Sequence, residues 1–349
     1  MNQPKQKPLV VFSLIVAGIM VLALATAFLT NYSKLKEVFL HLEMGPLFFA
    51  LFSTGSAYLS SALSFRALFK LTPHRIPFSK FFSVMFISDT VNFIISSAGM
   101  SSIAIRAFLL KQEKIPLSIT IPLSLAQNMI FNLVLSCVSF GGLVYLQGHP
   151  EFKGGPKQTV LLTFMTGLTM AAAGMMLFFF NGAFRRGILG LILEVGRWLN
   201  HQMTRENNLG PRWAEMQDQL ESTLSFLRKG WIQLTVVFFW IAVDWCFMAM
   251  ALYFCFRAVG VDLPLGLLVV GFTVMFLSSN INPVPAGLGV SESLLAFTFK
   301  ILGVDFEKTL VAALLFRLVY YLIPLGISTG LYIETIRFFL KSQAEDKPG

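Results

Sequence analysis

Five ionisable side chains stand inside long apolar stretches of this chain, where bulk water would not solvate them. They are Asp89, Arg106, Asp244, Glu292 and Arg317. A charged side chain at the centre of a membrane helix costs roughly 2.5–3.5 kcal/mol on insertion scales, so such groups usually bind a substrate or ion, or pair with each other. We therefore treat these five as candidate substrate-binding residues.

Arg317 lies eight residues inside the last apolar run, too deep to reach the interface easily. Its guanidinium could hold a phosphate through two parallel hydrogen bonds. It could equally be the buried partner of Glu292 or Asp244. The sequence leaves these two interpretations open.

The other four candidates also have two interpretations each. Glu292 follows a break in the chain by three residues, so its carboxylate either stabilises the first turn of a helix or senses a proton or cation near a substrate. Asp89 and Asp244 are similar candidates for which the sequence identifies no partner. Arg106 could contact a headgroup, but we expect it to extend to the cytoplasmic interface instead.

An internal repeat with an offset of 190 residues relates two parts of the chain. Residues 82–88 align without gaps on residues 272–278, and the register continues through polar and small residues, including Gln127 over Arg317. Corresponding interrupted segments in two halves of a membrane protein point to a transporter binding site. The repeat therefore adds further substrate-binding candidates, which are Asn92, Ser101, Asn282, Gly287, Gly289 and Ser291.

Each copy of the repeat contains a break in an apolar run. Residues 283–289 carry two prolines, which lack amide donors, and two glycines, so a helix cannot continue through them. Residues 96–102 form a weaker break without proline. Irregular backbone at membrane depth is tolerated only where protein or a water-filled cavity surrounds it, so we expect both breaks to face a polar interior.

The composition identifies the fold class. Of 349 residues, 55% are apolar and 13% charged, and the mean hydropathy is +0.71. Runs of about 20 apolar residues, the length that crosses a bilayer, occur at 9–30, 46–65, 157–181, 231–256 and 309–333. The run at 9–30 is too long for a signal peptide and is read as a first spanning helix. The chain is therefore predicted to be an all-α polytopic membrane protein.

Charge patterning gives the topology and excludes nucleic acid as a partner. The net charge of +9 comes from short Lys and Arg clusters between the apolar runs. Six spanning helices plus re-entrant hairpins at 78–111 and 264–302 place most of these clusters in the cytoplasm, as the positive-inside rule requires. The alternative has eight spanning helices, with 82–98 and 265–282 crossing fully. We favour the six-span arrangement, in which the two repeats are inverted.

We interpret residues 1–349 as a single membrane domain that contains two repeat cores and one amphipathic segment. The repeat cores are predicted at 78–146 and 264–333, and residues 182–229 form a cytoplasmic amphipathic segment. Both termini are predicted to be cytoplasmic, in the cell (inner) membrane. The three cysteines and four histidines have no metal-ligand spacing, so we expect no metal, no cofactor and no catalytic residue of a common type.

Three segments, 283–292, 302–304 and 312–324, resemble the membrane region of lysylphosphatidylglycerol synthases and of stand-alone flippase-like proteins. The first repeat, from Asn92 through Gly99 to Arg106, looks like an upstream motif of the same family, although it lacks the prolines of the second. The resemblance implies movement of an aminoacylated phospholipid or a polyprenyl-linked lipid between leaflets. It does not imply synthase activity, because no soluble aminoacyl-transfer domain follows the last apolar run.

The sequence therefore predicts a lipid flippase or transporter rather than an enzyme. Its substrate would be an anionic phospholipid or a polyprenyl-phosphate lipid, with a second copy of the chain or a lipid-modifying enzyme as further partners. Two alternatives stay open: a membrane-embedded enzyme that modifies lipid headgroups, with Glu292 or Asp244 as base, and an accessory subunit of such an enzyme.

Overall fold

A computed structural model describes residues 37–38, 40–94, 99–148, 150, 155–188, 190–191, 231–281 and 289–332. These residues are helical almost throughout, with no strand among them. The principal helices, in chain order, are α1 (Met44–Phe69), α2 (Phe78–Ile94), α3 (Met100–Gln112), α4 (Leu117–Gly148), α5 (Gly155–Phe180), α6 (Trp231–Ala258), α7 (Leu265–Ile281), α8 (Val290–Ile301) and α9 (Phe306–Arg317).

Within the described ranges, four helical stretches are long and apolar enough to cross a bilayer. They are α1, α4, residues 232–258 of α6, and α9 with its continuation to residue 332. This confirms the predicted all-α polytopic membrane class, while the count of six spans stays a prediction. The predicted first span at 9–30 and most of the segment at 182–229 lie outside the described residues.

Helices α2 and α3 form an antiparallel hairpin. Lys80 at the start of α2 is 3.1 Å from the Glu113 carboxylate just past the end of α3, and at the other end Ser101 donates a 3.0 Å hydrogen bond to Asn92. The two arms contain 17 and 13 residues, fewer than the roughly 20 that cross a bilayer. The structure therefore shows that α2 and α3 form a hairpin, whereas its re-entry into the membrane from one side stays a prediction.

Cysteine labelling distinguishes the two topologies. In a chain whose three native cysteines are replaced by alanine, we expect Lys80→Cys and Glu113→Cys to react with a membrane-impermeant maleimide from the same side, because the Lys80–Glu113 ion pair holds these positions together. The eight-span alternative requires them to react from opposite sides. Labelling of sealed vesicles of both orientations would decide between them.

A glycine with a positive φ precedes both α3 and α8, the second arms of the two predicted hairpins. Gly99 has a φ of 93° and is followed by α3, and Gly289 has a φ of 80° and is followed by α8. Only glycine adopts such angles without strain. Helices α7 and α8 also pack together, and a side chain at Gly271 would overlap Phe299. The predicted break at 283–289 lies outside the described part of the chain except for Gly289.

We expect Gly99→Ala to destabilise the protein by more than Gly303→Ala does. Both positions have a positive φ, which costs an alanine about 1–2 kcal/mol. A Cβ at Gly99 would also overlap the amide of Asn128, whereas at Gly303 it would meet open space. Free energies of unfolding in mixed detergent micelles measure the difference, and equal losses in the two variants would contradict the close approach at Gly99.

The centre of the bundle is the packing of α1 against α6. Ala50, Ala57 and Ala62 on α1 are fully buried, as is Ala251 on α6. Small residues at a membrane helix interface let two backbones approach closely and gain dispersion contacts. This pair forms a support for the hairpin α2–α3, which also packs on α1.

Candidate functional site

Arg106 is buried at the centre of a polar network. It lies on α3, is 3% exposed, and donates to Asp89 Oδ1 on α2 at 2.9 Å and to Gln127 Oε1 on α4 at 2.7 Å. Its guanidinium also lies 4.4 Å from the ring centroid of Phe65. The expectation that Arg106 extends to the cytoplasmic interface is therefore wrong, because carboxylate, amide and aromatic partners solvate its charge inside the bundle.

The partners of Arg106 are themselves held by α1. Ser61 donates a 2.6 Å hydrogen bond to Asp89 Oδ2, and Gln127 Nε2 donates to the carbonyl of Ser61 and to Ser64 Oγ. Both carboxylate oxygens of Asp89 and the amide of Gln127 thus have hydrogen-bond partners on neighbouring helices. A buried polar network of this kind favours one arrangement, so it holds the hairpin against α1 and α4 in this structure.

A polar cavity of about 70 Å³ lies beside this ion pair. A water molecule needs about 10–15 Å³ in such a measure, so the cavity has room for a few waters. Most of its lining side chains carry a polar group, and they come from α1, α2, α3, α4, α6 and the segment after α9. The lining residues are Tyr58, Ser61, Asp89, Asn92, Ser102, Arg106, Ser124, Gln127, Asn128, Phe131, Asp244 and Tyr320.

Asp244 is the acidic residue that α6 contributes to this cavity. It is 3% exposed, and its Oδ1 has no hydrogen-bond partner among the described residues. Ser124 on α4 likewise lines the cavity with a buried hydroxyl that has no described partner. Buried polar groups are almost always hydrogen-bonded, so two such groups in one cavity indicate that it accommodates a ligand, an ion or water.

Arg317 belongs to a second charged cluster, on α8 and α9. It forms an ion pair with Glu292, and its Nη2 donates a 2.7 Å hydrogen bond to Ser291 Oγ. Glu292 also accepts a 2.9 Å hydrogen bond from the amide of Gly289, the residue before α8. Arg317 and Glu292 are 6% and 1% exposed, so this pair is buried within the protein.

A turn of π-helix connects the two clusters. It covers Leu318–Leu322, directly after Arg317, and its Tyr320 carbonyl accepts a 3.1 Å hydrogen bond from the Tyr58 hydroxyl. The rings of Tyr58 and Tyr320 stack with centroids 5.5 Å apart, and both line the cavity. Such turns are rare and occur frequently at functional sites. The second cluster therefore reaches the cavity through aromatic contacts rather than through a shared ion pair.

The predicted site residues fall into two groups. Around the cavity are Asp89, Asn92, Arg106 and Asp244, with Ser101 bonded to Asn92. In the second cluster are Gly289, Ser291, Glu292 and Arg317. Asn282 and Gly287 lie outside the described residues. Of the two carboxylates considered as partners for Arg317, Glu292 forms the ion pair and Asp244 does not.

Several cavity residues were not candidates from the sequence. In the sequence, Tyr58 and Tyr320 look like ordinary aromatic residues of membrane helices. Only the tertiary structure shows that their rings stack and line the cavity. Ser124, Gln127 and Asn128 do leave a signal, because they are polar residues at helical spacing in an otherwise apolar run. Of these, the repeat singles out only Gln127, which aligns with Arg317.

The sequence of this chain is similar to those of known membrane proteins. A family model described as "Lysylphosphatidylglycerol synthase TM region" matches residues 14–328. A phosphatidylglycerol lysyltransferase of Staphylococcus aureus strain MRSA252 is 31% identical over 112 residues, which are 29% of this chain and 13% of the relative. A UPF0104 membrane protein of Methanothermobacter thermautotrophicus is 25% identical over 174 residues, 47% of this chain and 50% of the relative. The matches thus span half or less of these relatives.

Proposed function

Because this chain belongs to the family of lysylphosphatidylglycerol synthase transmembrane regions, we propose that it is a lipid flippase, which moves the headgroup of a phospholipid or polyprenyl-phosphate lipid between the leaflets of the bilayer. In this proposal the protein moves the lipid and is not an enzyme. The acyl or prenyl chains of the lipid would stay in the hydrocarbon while the headgroup crosses through the protein. The membrane would be the cell (inner) membrane, with both termini in the cytoplasm.

The polar cavity beside the Asp89–Arg106 pair is the observation that carries this proposal. A headgroup can cross the hydrocarbon only where protein or water replaces its hydration, and this cavity provides carboxylate, amide and hydroxyl groups inside an apolar bundle. The buried Arg106 supplies the positive charge that an anionic phosphate requires. Gln127 and Asn92 supply uncharged hydrogen-bonding groups beside it.

The cavity is smaller than a typical ligand pocket, so the proposed transport includes a step that enlarges it. Ligand pockets typically have volumes of about 300–1,000 Å³, whereas this cavity has about 70 Å³. A headgroup therefore enters only after helices separate. We propose that the hairpin α2–α3 moves in this step, which requires breaking the side-chain hydrogen bonds that join Asp89 to α1 and Arg106 to α4.

Reconstitution into liposomes tests the function directly. Purified protein is inserted into vesicles that contain a headgroup-labelled phosphatidylglycerol, and the fraction that becomes accessible to a membrane-impermeant quencher is followed in time. We expect faster exposure of the label than in protein-free vesicles. Arg257→Ala is the matched control and should expose the label as fast as wild type, because this arginine is exposed and pairs with Asp262 at the surface. Exposure no faster than in protein-free vesicles, for phosphatidylglycerol and for polyprenyl-phosphate lipids alike, would refute a flippase.

A second candidate function is modification of the headgroup within the membrane. The name of the Staphylococcus relative describes a transferase, and Asp244 offers a carboxyl oxygen without a described hydrogen-bond partner as a base. Mass spectrometry of the lipids before and after incubation separates the two functions. A flippase leaves the lipid chemically unchanged, whereas a new lipid mass that depends on Asp244 would favour the enzyme.

A further inference from the structure

Asp244 is a buried carboxyl for which headgroup binding alone gives no role. Its Oδ1 has no described hydrogen-bond partner although the side chain is 3% exposed and lines the cavity. An ionised carboxylate without a partner in such a place costs several kcal/mol of desolvation. Binding a cation removes that cost. A proton needs a single carboxyl oxygen, whereas a metal site usually has several charged or imidazole ligands, and no group of three His, Cys, Asp or Glu side chains that could hold a metal occurs among the described residues, so we take the cation to be a proton.

The other ionisable groups of the cavity come from four neighbouring elements. Asp89 on α2 and Arg106 on α3 form their ion pair, while Tyr58 on α1 and Tyr320 after α9 contribute phenols. Helix α4 contributes uncharged polar groups and Phe131. Asp89 is therefore paired with Arg106, whereas Asp244 forms no ion pair with any described residue.

We propose that Asp244 binds and carries a proton that couples lipid movement to the proton gradient, an inference that rests on the flippase function proposed above. The proton adds to an Asp244 carboxylate oxygen from water on one side of the membrane. It leaves from the same oxygen to water on the other side when the helices separate there. At each transfer an O–H bond of the donor, hydronium or the Asp244 acid, breaks as the O–H bond of the acceptor forms, and no bond of the lipid changes.

The charge of the cavity determines the direction of coupling. With Asp244 ionised, the cavity contains one more carboxylate than guanidinium, and a phosphate entering it is repelled. With Asp244 protonated, the excess negative charge is gone and Arg106 can attract the phosphate. Proton binding and binding of an anionic headgroup therefore favour each other, so the two move in the same direction.

Proteoliposomes with a pH gradient test the coupling. Movement of labelled phosphatidylglycerol is measured in wild type at equal pH, with an acidic outside, and with an acidic inside. We expect transport away from the acidic side to be stimulated, and Asp244→Asn to lose that stimulation. Asp262→Asn is the matched control, because Asp262 is an exposed aspartate that pairs with Arg257 at the surface, and it should keep the full response.

A sodium gradient at equal pH provides the competing outcome. Stimulation by sodium rather than by the pH gradient would overturn the proton assignment. Wild-type transport that responds to neither gradient would overturn the coupling itself, while still supporting a flippase. No lipid movement by wild type under any condition would instead refute the flippase function, so the two failures are distinguishable.

Infrared spectroscopy gives a readout that does not depend on transport. We expect purified wild type to show the carbonyl stretch of a protonated carboxylic acid in a pH range where exposed carboxyls are ionised, and Asp244→Asn to lose this band while keeping its helical amide signal. A band that persists in the variant, or no band in wild type at any pH at which the protein is folded, would overturn the role of Asp244 as the proton carrier.

Discussion

Replacing Arg317 by methionine should lower the free energy of unfolding by about 3–5 kcal/mol, because Glu292 would remain buried without its cation. The amide of Gly289 still hydrogen-bonds that carboxylate and offsets only part of the loss. Unfolding in mixed detergent micelles measures this effect. The surface variant Arg257→Met should lose far less stability, since its arginine forms an exposed ion pair.

The double variant Arg317→Met, Glu292→Gln separates folding from transport. Removing both charges leaves no buried unpaired ion, so we expect most of the lost stability to return. If Arg317 also receives the headgroup, both Arg317→Met and this folded double variant should lose translocation. Recovery of translocation together with stability would assign Arg317 a purely structural role.

Arg106→Gln should reduce headgroup translocation by about 10–100-fold. A hydrogen bond to a charged group contributes about 1.5–3 kcal/mol, and each 1.4 kcal/mol corresponds to a factor of ten. Arg106→Lys should not restore the rate, because a single ammonium cannot reproduce the planar fork that reaches both Asp89 and Gln127. The rate of labelled phosphatidylglycerol crossing in proteoliposomes is the measurement.

A neutral pair again provides the control for folding. Arg106→Gln with Asp89→Asn leaves no unpaired carboxylate beside Gln127, so the hairpin should remain folded on α1 and α4. Translocation should stay low in this variant, because the cavity has lost the charge that attracts a phosphate. A wild-type rate in the double variant would show that the ion pair serves only to hold the hairpin.

The membrane class could be predicted because it depends on local properties of the chain. The apolar runs predicted at 46–65 and 231–256 lie within α1 and α6, and the run from 309 is helical as far as the structure describes it, to residue 332, since a run of that length in lipid has to satisfy its own backbone as a helix. The glycines at the starts of α3 and α8 were identifiable for a similar reason, because a break in a helix requires residues with unusual backbone freedom.

The pairing of the charges could not be predicted in the same way. Arg106 has the same local sequence whether it extends to an interface or turns inward, and only the packing of α1 and α4 against its hairpin brings Ser61, Gln127 and Phe65 to it. The partner of Asp89 was likewise unknown until α2 and α3 were seen to be antiparallel.

The sequence by itself determined that this chain is a helical membrane protein, which ionisable residues lie in apolar runs, and where residues that break helices interrupt two of those runs. These properties follow from composition and from hydrogen bonds between near neighbours in the chain. Tertiary structure alone decided that Arg106 meets Asp89, that Arg317 meets Glu292, and that Asp244 faces a cavity without a described partner for its Oδ1. Electrostatic energy depends on distances between atoms far apart in sequence, and packing of the helices sets those distances.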